Sequence, residues 1–319
     1  MTLEILDAKG HAALVQGIIG KYGDGPEHHY HYYIDEEEEG YVPQVIHDAG
    51  KGYCILGLHD TQKEEWTLHA EPLCPVSERA ALLHRVALFL FSRGAKRITV
   101  EVRPQLRNAL IEIARQERSR KGHVVKICKI NYALDWPVYL LDSWMGDTLQ
   151  GGAWKDMRYY INVFKKSNPS AAVVQASAVP QEELLKLVKL WKRTRAKRHE
   201  HTPTAFLDNA IKAGFAGFDE ARVVLIEGKP AAITAGFKVD HTLPHYYSSI
   251  GIYDQRYPRL GEFANWDDLC NLKRKGYTRV DFGGGDESLN TFKKKFHPTL
   301  MYTTQIFSIK PVSEHSANR

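Results

Sequence analysis

The stretch VDFGGGDESLNTFKKKF, residues 280–296, joins the end of a strand to a short helix through three glycines. Asp286 or Ser288 is suited to cap that helix, because a short oxygen-bearing side chain can accept hydrogen bonds from the unpaired N–H groups of the first turn. The glycines lack the G-x-G-x-x-G spacing of a dinucleotide site and the Gly-Lys-Ser/Thr ending of a phosphate-binding loop. We therefore expect residues 283–285 to form a tight turn.

The three lysines of this stretch differ in helical phase. Leu289, Phe292, Lys293 and Phe296 fall at positions i, i+3, i+4 and i+7 and share one face of the helix, whereas the other two lysines point elsewhere. A lysine on an apolar face must reach a polar partner or accept a lowered pKa. Helical phase therefore makes Lys293 a candidate site residue. The alternative is that all three lysines form a face that is solvated or contacts nucleic acid.

Outside this stretch, hydrophobic periodicity predicts the same order of elements twice. Each half consists of a strand, a helix, three strands of antiparallel character, a helix, a strand, a helix and a final strand. Ser77 and Gly94 are suited to begin and end the clearest helix of the first half. This order predicts an α+β fold with two similar domains, residues 1–145 and 146–319.

The composition is typical of a soluble globular protein. The 319 residues are 43% hydrophobic and 25% charged, and they contain no apolar run near the roughly 18 residues that a membrane span needs. The N-terminus lacks the basic and apolar regions of a secretory signal, and the four cysteines lack the spacing of a metal site. We therefore expect a cytoplasmic protein with reduced thiols.

Two segments of the second half resemble the Gcn5-related N-acetyltransferase (GNAT) family, and within it the Fem-like and DUF2156-like acyltransferases. WKDMRYYINVFKKSN, residues 154–168, is similar to the helix that opens their catalytic half. Residues 251–296 are similar to their closing segment, in which a strand, a loop-to-helix turn, a "DFgG" strand end and an "FK..F" helix follow in order. The duplicated order of elements extends the resemblance to a tandem GNAT-like fold over nearly the whole chain.

The resemblance implies transfer of an acyl group from a thioester or an aminoacyl ester to an amine acceptor. The implied donor is acetyl-CoA or another acyl-CoA, with aminoacyl-tRNA as the alternative. In GNAT folds two adjacent strands separate and leave a wedge for the acyl group, and the pyrophosphate of coenzyme A docks on a helix N-terminus. The full GNAT phosphate pattern is absent from this sequence, and Fem-like relatives, which take an aminoacyl-tRNA, also lack it. The residues at the corresponding place are Arg256, Arg259, Leu260, Gly261 and Glu262.

Three residues are candidates for the catalytic chemistry. In Fem-like proteins the lysine of "FK..F" lies near the reacting carbonyl, and the resemblance assigns this role, stabilisation of the oxyanion, to Lys293. The attacking amine must also lose a proton, because an ammonium has no lone pair. The residues on segments able to face the wedge are Tyr246, Tyr247, His245, Asp281 and Asp286. Of these, Asp281, at a strand end, and Tyr246 are the chosen candidates for the proton acceptor. Tyr246 and Tyr247 alternate faces on their strand, so at most one of them points to each layer.

Other features have both functional and structural explanations. The histidines of HHYHYY, residues 28–33, and of residues 199–201 lack zinc-site spacing, so we predict no metal site and expect surface or loop histidines. The basic run KRTRAKR, residues 192–198, is suited to contact RNA phosphates, including those of a tRNA, although most such helices are only solvated. The alternative function is a non-catalytic GNAT-fold module that binds RNA or a phosphate-bearing ligand.

Overall fold

The computed structural model describes residues 3–121, 125–196, 205–239 and 243–312. The helices and strands of these ranges follow the order that periodicity predicts, with two additional short helices at Tyr30–Ile34 and Ala205–Lys212. The strands are β1 Leu3–Asp7, β2 Tyr41–Asp48, β3 Tyr53–Asp60, β4 Glu65–Leu73, β5 Arg97–Val102, β6 Val125–Leu140, β7 Ala172–Gln175, β8 Glu220–Ile226, β9 Lys229–Lys238, β10 His245–Tyr253, β11 Arg279–Asp281 and β12 Leu300–Pro311. The α-helices are α1 Ala12–Tyr22, α2 Tyr30–Ile34, α3 Arg79–Ser92, α4 Pro104–Lys121, α5 Lys155–Ser167, α6 Gln181–Ala196, α7 Ala205–Lys212, α8 Leu260–Arg274 and α9 Glu287–Lys294.

Internal contacts divide the chain into two compact units. Unit 1 runs from the N-terminus to Asp135 and resumes at Thr303, and unit 2 comprises Trp136–Tyr302. Both boundaries fall inside long strands, β6 and β12. The predicted division into domains of residues 1–145 and 146–319 stays a prediction.

Unit 1 is a mixed sheet covered on both faces by helices. Its strands lie in the order β1-β2-β3-β4-β5-β12. Neighbouring strands are antiparallel except β4 and β5, which are parallel. Helices α3 and α4 pack on one face through a core that includes Leu83, Leu90 and Val100. Helices α1 and α2 pack on the other face.

Unit 2 repeats this arrangement with the strand order β7-β8-β9-β10-β11-β6. Strands β10 and β11 are the parallel pair, and the other pairs are antiparallel. Helices α5 and α8 pack on one face of the sheet, and α6 and α7 pack on the other. The two units therefore share one topology, which confirms the predicted α+β class and the tandem GNAT-like layout.

Local details confirm some predictions and correct others. Asp286 caps α9, because its Oδ1 accepts a hydrogen bond from the Leu289 N–H at 2.8 Å. Gly94 ends α3 with a φ of 96°, where a side chain would be strained. Ser77 does not cap α3, since it lies in a short 3-10 turn before that helix and Glu78 occupies the cap position.

The histidine-rich segment was expected to be a surface loop, and the structure corrects this expectation in part. Residues 30–34 form α2, and His29 caps that helix by accepting a hydrogen bond from the Tyr32 N–H. His28 is buried; its Nε2 donates to the Glu71 carbonyl at 2.8 Å. Residues 199–201 lie outside the described residues. None of the described helices is both long and apolar enough to cross a lipid bilayer.

Candidate active site

A wedge opens between the two parallel strands of unit 2. β10 and β11 are paired from His245 and Arg279 as far as Tyr247 and Asp281, where β11 ends. β10 continues to Tyr253, with a bulge in its pairing to β9 just after the two strands part. Bulges bend a strand and increase its twist. Within the described residues, the pairing of β10 with β11 therefore stops at Tyr247, and no other strand pairs with β10 on that side.

A cavity of about 190 Å³ occupies this wedge. This volume is below the roughly 300 Å³ at which pockets for drug-sized molecules begin, so the cavity suits a small group. Aromatic rings, polar side chains and glycine backbone all contribute to its wall. The lining residues are Tyr247, Ser248, Ser249, Gly251, Asn265, Phe282, Gly283, Gly284, Leu289, Phe292 and Lys293.

Lys293 lines this cavity from the buried face of α9, as helical phase predicted. Its side chain is among the buried charged groups, with 6% of the residue exposed. The Nζ donates hydrogen bonds to the carbonyl oxygens of Gly283, at 2.7 Å, and Gly284, at 3.3 Å. Burial lowers the pKa of Lys293 from 10.5 to about 7, opposed by the charge of Asp286. The amine is therefore able to exchange a proton near neutral pH.

The three glycines are bound to α9 through their carbonyl groups. Asn290 Nδ2 donates to the Gly285 carbonyl at 2.7 Å, so Lys293 and Asn290 together hold all three carbonyls. Gly283 has a φ of 74°, and a Cβ there would lie 3.2 Å from the hydroxyl of Tyr247. These hydrogen bonds hold the three-glycine loop against α9, and Gly283 and Gly284 of this loop line the cavity. Its spacing is not that of a G-x-G-x-x-G phosphate cradle.

The two adjacent tyrosines of β10 have opposite environments. Tyr247 lines the cavity. Tyr246 is fully buried, and its ring lies 5.0 Å from that of Tyr277 in an edge-on contact. In the described part of the chain its hydroxyl has no hydrogen-bond partner, and burial raises its pKa well above the ordinary value. The structure brings Tyr247, and not the predicted Tyr246, to the cavity.

Asp281 lies at the base of the wedge, next to the cavity wall and not in it. Its carboxylate is 1% exposed and accepts a hydrogen bond from His245 Nε2 at 2.9 Å. The guanidinium of Arg279 lies 3.5 Å from the other carboxylate oxygen. These contacts place Asp281 in a buried charged group that joins the paired ends of β10 and β11.

The predicted coenzyme-binding segment lies at the N-terminus of α8, where its cations are bound to carboxylates. Arg256 forms a two-pronged ion pair with Asp254, with Nη2 to Oδ2 at 2.6 Å. Arg259 Nη1 and Lys295 Nζ both contact Glu262 Oε1, at 3.1 Å and 3.0 Å. None of these residues is among those that line the cavity.

Glu262 lies in the first turn of α8, the helix whose N-terminus was predicted to dock a pyrophosphate. Burial acts to raise the pKa of its carboxyl, but hydrogen bonds from Lys295, its own backbone N–H and Arg259 outweigh that effect and lower the pKa. The carboxylate therefore stays charged and satisfies the positive end of α8. A second anion at this end of α8 would be repelled by the charge of Glu262.

The remaining two residues of the segment have packing roles. Leu260 is fully buried in the core beneath α5 and α8. A Cβ on Gly261 would lie 2.6 Å from the ring of Tyr253, so the glycine lets that ring pack against the first turn of α8. The group that lies closest to Gly261 is therefore the Tyr253 side chain of β10.

Several cavity residues were not predicted from the sequence. Ser248, Ser249 and Gly251 lie on β10 beyond its pairing with β11, and Asn265 lies on α8. Serine and glycine in a strand carry no functional signal of their own. Within the described residues, no group of three or more His, Cys, Asp or Glu side chains is arranged to hold a metal ion.

Unit 1 has charged side chains at the corresponding place. The parallel pairing of β4 and β5 ends at Leu68 and Val100, and the next residue of β4 is His69. His69 Nε2 lies 3.0 Å from Glu36 Oε2. Burial acts to lower the pKa of His69, but the charge and hydrogen bond of Glu36, together with the charges of Glu27 and Glu101, outweigh burial and raise the pKa to about 9. An ion pair therefore follows the parallel pairing in unit 1, where unit 2 has its cavity.

Comparison with known proteins agrees with this geometry. Residues 151–294 match the family model described as an acetyltransferase (GNAT) domain, and the matched range includes the strands of the wedge and the whole of α9. No curated protein matches the sequence significantly.

Three solved structures with low sequence identity share the fold over both units. A conserved protein of unknown function from Bacteroides thetaiotaomicron has a TM-score of 0.67 and 14% identity, covering 97% of this chain and 100% of its own. The C-terminal DUF2156 domain of a putative lysylphosphatidylglycerol synthetase from Agrobacterium fabrum has a TM-score of 0.64 and 15% identity, covering 97% and 93%. FemX has a TM-score of 0.61 and 12% identity, covering 97% of each chain. The predicted resemblance to the Fem-like and DUF2156-like GNAT group is confirmed.

Proposed function

We propose that this protein is an N-acyltransferase that moves a small acyl group from an activated carrier to an amine within the wedge of unit 2. The observation that carries the proposal is Lys293, a buried amine on the cavity wall with a pKa near neutrality. A lysine with a lowered pKa beside a small cavity is typical of acid–base chemistry.

The hydrogen bonds of Lys293 support this role. A neutral amine has two N–H groups and one lone pair, and two carbonyl oxygens accept from this nitrogen. In the neutral form both N–H groups are used and the lone pair remains for the cavity. In the ammonium form a third N–H group is present, and it remains to donate a hydrogen bond within the cavity.

A reaction sequence follows from this proton count. The amine of the acceptor attacks the acyl carbonyl, a C–N bond forms, and Lys293 accepts the proton that the nitrogen loses. The resulting ammonium stabilises the oxyanion of the tetrahedral intermediate. The C–O or C–S bond to the carrier then breaks, and Lys293 returns the proton to the leaving oxygen or sulfur.

The N-terminus of α8 bears on the nature of the carrier. Coenzyme A would place its pyrophosphate there, but the carboxylate of Glu262 already satisfies that helix end and engages Arg259 and Lys295. This favours an aminoacyl-tRNA, or another carrier held elsewhere, over acyl-CoA. Both carriers are included in the test.

Acyl transfer to hydroxylamine tests the proposal without knowledge of the natural acceptor. Hydroxamate formation is measured with acetyl-CoA, longer acyl-CoAs and a mixture of aminoacyl-tRNAs. At least one donor is expected to react about 100-fold faster with the wild-type protein than with Lys293→Met. Lys294→Met is the matched control, because Lys294 is exposed on the same helix. Equal rates for wild type and Lys293→Met with every donor would favour the non-catalytic binding module.

The adjacent tyrosines provide a second comparison. Tyr247→Phe changes the cavity wall, whereas Tyr246→Phe removes a hydroxyl buried on the other face of the sheet. We expect only Tyr247→Phe to lower the rate of hydroxamate formation. A loss confined to Tyr246→Phe would restore the prediction made from the sequence.

A further inference from the structure

Asn265 lines the wedge cavity, and of its two amide atoms only Nδ2 has a hydrogen-bond partner among the described residues. The residue is 8% exposed and lies one turn into α8. Its Nδ2 donates to the Gly261 carbonyl at 2.8 Å, which fixes the orientation of the amide. The Oδ1 therefore points away from Gly261, and within the described residues it accepts no hydrogen bond.

The strand opposite leaves this oxygen accessible. A Cβ built on Gly251 of β10 would lie 3.4 Å from Asn265 Oδ1, which is van der Waals contact. Gly251 has an ordinary strand conformation with negative φ, so its backbone does not require glycine. The absence of a side chain at this position instead leaves space beside the oxygen, and both residues line the cavity.

We propose that Asn265 is a specificity-determining residue, and that its Oδ1 selects acyl groups with a hydrogen-bond donor next to the carbonyl. The chemical class is an α-hydroxyacyl or an α-aminoacyl group. The inference rests on the proposed acyl transfer, because it assumes that the reacting carbonyl lies at Lys293.

The size of the cavity connects the two residues. Lys293 and Asn265 line the same space of about 190 Å³. An acyl group bound there with its carbonyl at Lys293 shares the cavity with Asn265, and the inference assigns its α-substituent to Asn265 Oδ1. A plain alkyl substituent would leave the oxygen desolvated and unpaired, and an O–H or N–H substituent would satisfy it.

Binding of three small amides tests this inference independently of catalysis. Propionamide, lactamide and alaninamide differ only in the α-substituent, which is hydrogen, hydroxyl or amine. Ligand-observed NMR titration of the full chain should show lactamide or alaninamide binding about tenfold more tightly than propionamide, the effect of one net hydrogen bond. The tighter of the two identifies whether the site prefers the hydroxyl or the amine.

Two variants remove the preference by different routes. Asn265→Leu deletes the acceptor, and Gly251→Ala covers it while leaving Asn265 in place. Each should bring the three affinities to within about twofold of one another. Asn271→Leu is the control, because Asn271 lies on the same helix, donates to Glu220 and does not line the cavity.

The outcomes separate this inference from the proposed function. Equal binding of all three amides by the wild type, or a preference that persists in both Asn265→Leu and Gly251→Ala, would overturn the role of Asn265. A different result would be that no hydroxamate forms while both variants abolish the binding preference. That result would overturn the proposed acyl transfer, and Asn265 would remain the residue that selects ligands with a hydrogen-bond donor.

Discussion

Replacing Lys293 with methionine should alter the pH dependence of stability in a direction fixed by the lowered pKa. Burial lowers the pKa from 10.5 in the unfolded chain to about 7 in the folded protein. Between these values the unfolded chain binds more protons, so the stability of the wild type rises with pH. At about 1.4 kcal/mol for each pKa unit, the lysine costs the folded protein on the order of 5 kcal/mol below pH 7.

Methionine has no such cost at any pH. Its net effect at neutral pH is small, because the carbonyls of Gly283 and Gly284 lose their donor at a cost of about 1–3 kcal/mol each. The informative quantity is the change with pH. Relative to Lys293→Met, the wild type should gain about 3 kcal/mol in free energy of unfolding between pH 6 and pH 9.

Urea denaturation at several pH values measures this gain. Taking the difference between two proteins cancels the titration of every other group, and Lys294→Met should run parallel to the wild type, because Lys294 is exposed. A wild-type curve that stays parallel to that of Lys293→Met from pH 6 to pH 9 would refute the lowered pKa. The proton-transfer role proposed for Lys293 would then lose its support.

Two further substitutions test the surroundings of the wedge. Gly261→Ala should destabilise the protein by about 1–3 kcal/mol in thermal or urea denaturation, because the new methyl group meets the ring of Tyr253 at 2.6 Å; an unchanged midpoint would show that the ring moves aside. Glu36→Gln should lower the free energy of unfolding by about 1–2 kcal/mol at pH 6 and leave it unchanged by pH 10. The reason is the raised pKa of His69, which contributes stability that is complete below pH 6.5 and is lost as the pH rises through about 9. Glu39→Gln, at an exposed position, is the control, and a deficit that persists at pH 10 would contradict the ion pair.

The order of elements and the position of Lys293 were readable from the sequence because both depend on local periodicity. Residues three and four apart share a helix face whatever the helix packs against. The duplicated order of strands and helices predicted a tandem α+β fold in the same way. The capping of α9 by Asp286 is also local, since it joins a side chain to an N–H three residues away.

The choice between Tyr246 and Tyr247 shows where such reasoning stops. Alternation along a strand predicts that they face opposite ways, and it does not tell which face leads to the cavity. That depends on where β11 ends beside β10, which is a property of the sheet. Sequence patterns likewise do not tell which group Arg259 binds. Its partner is the carboxylate of Glu262, which also binds Lys295 at the end of a different helix.

The sequence by itself determined the fold class, the duplication and the buried lysine of α9, because backbone geometry repeats at fixed intervals along the chain. Only the tertiary structure decided that Glu262 binds both Arg259 and Lys295 and that Asn265 faces Gly251 across the wedge. The cavity consists of residues from β10, α8 and α9 that are far apart in the chain. Their side chains come together because hydrophobic packing of the helices against the sheet sets the distances between elements, and no short-range pattern records those distances.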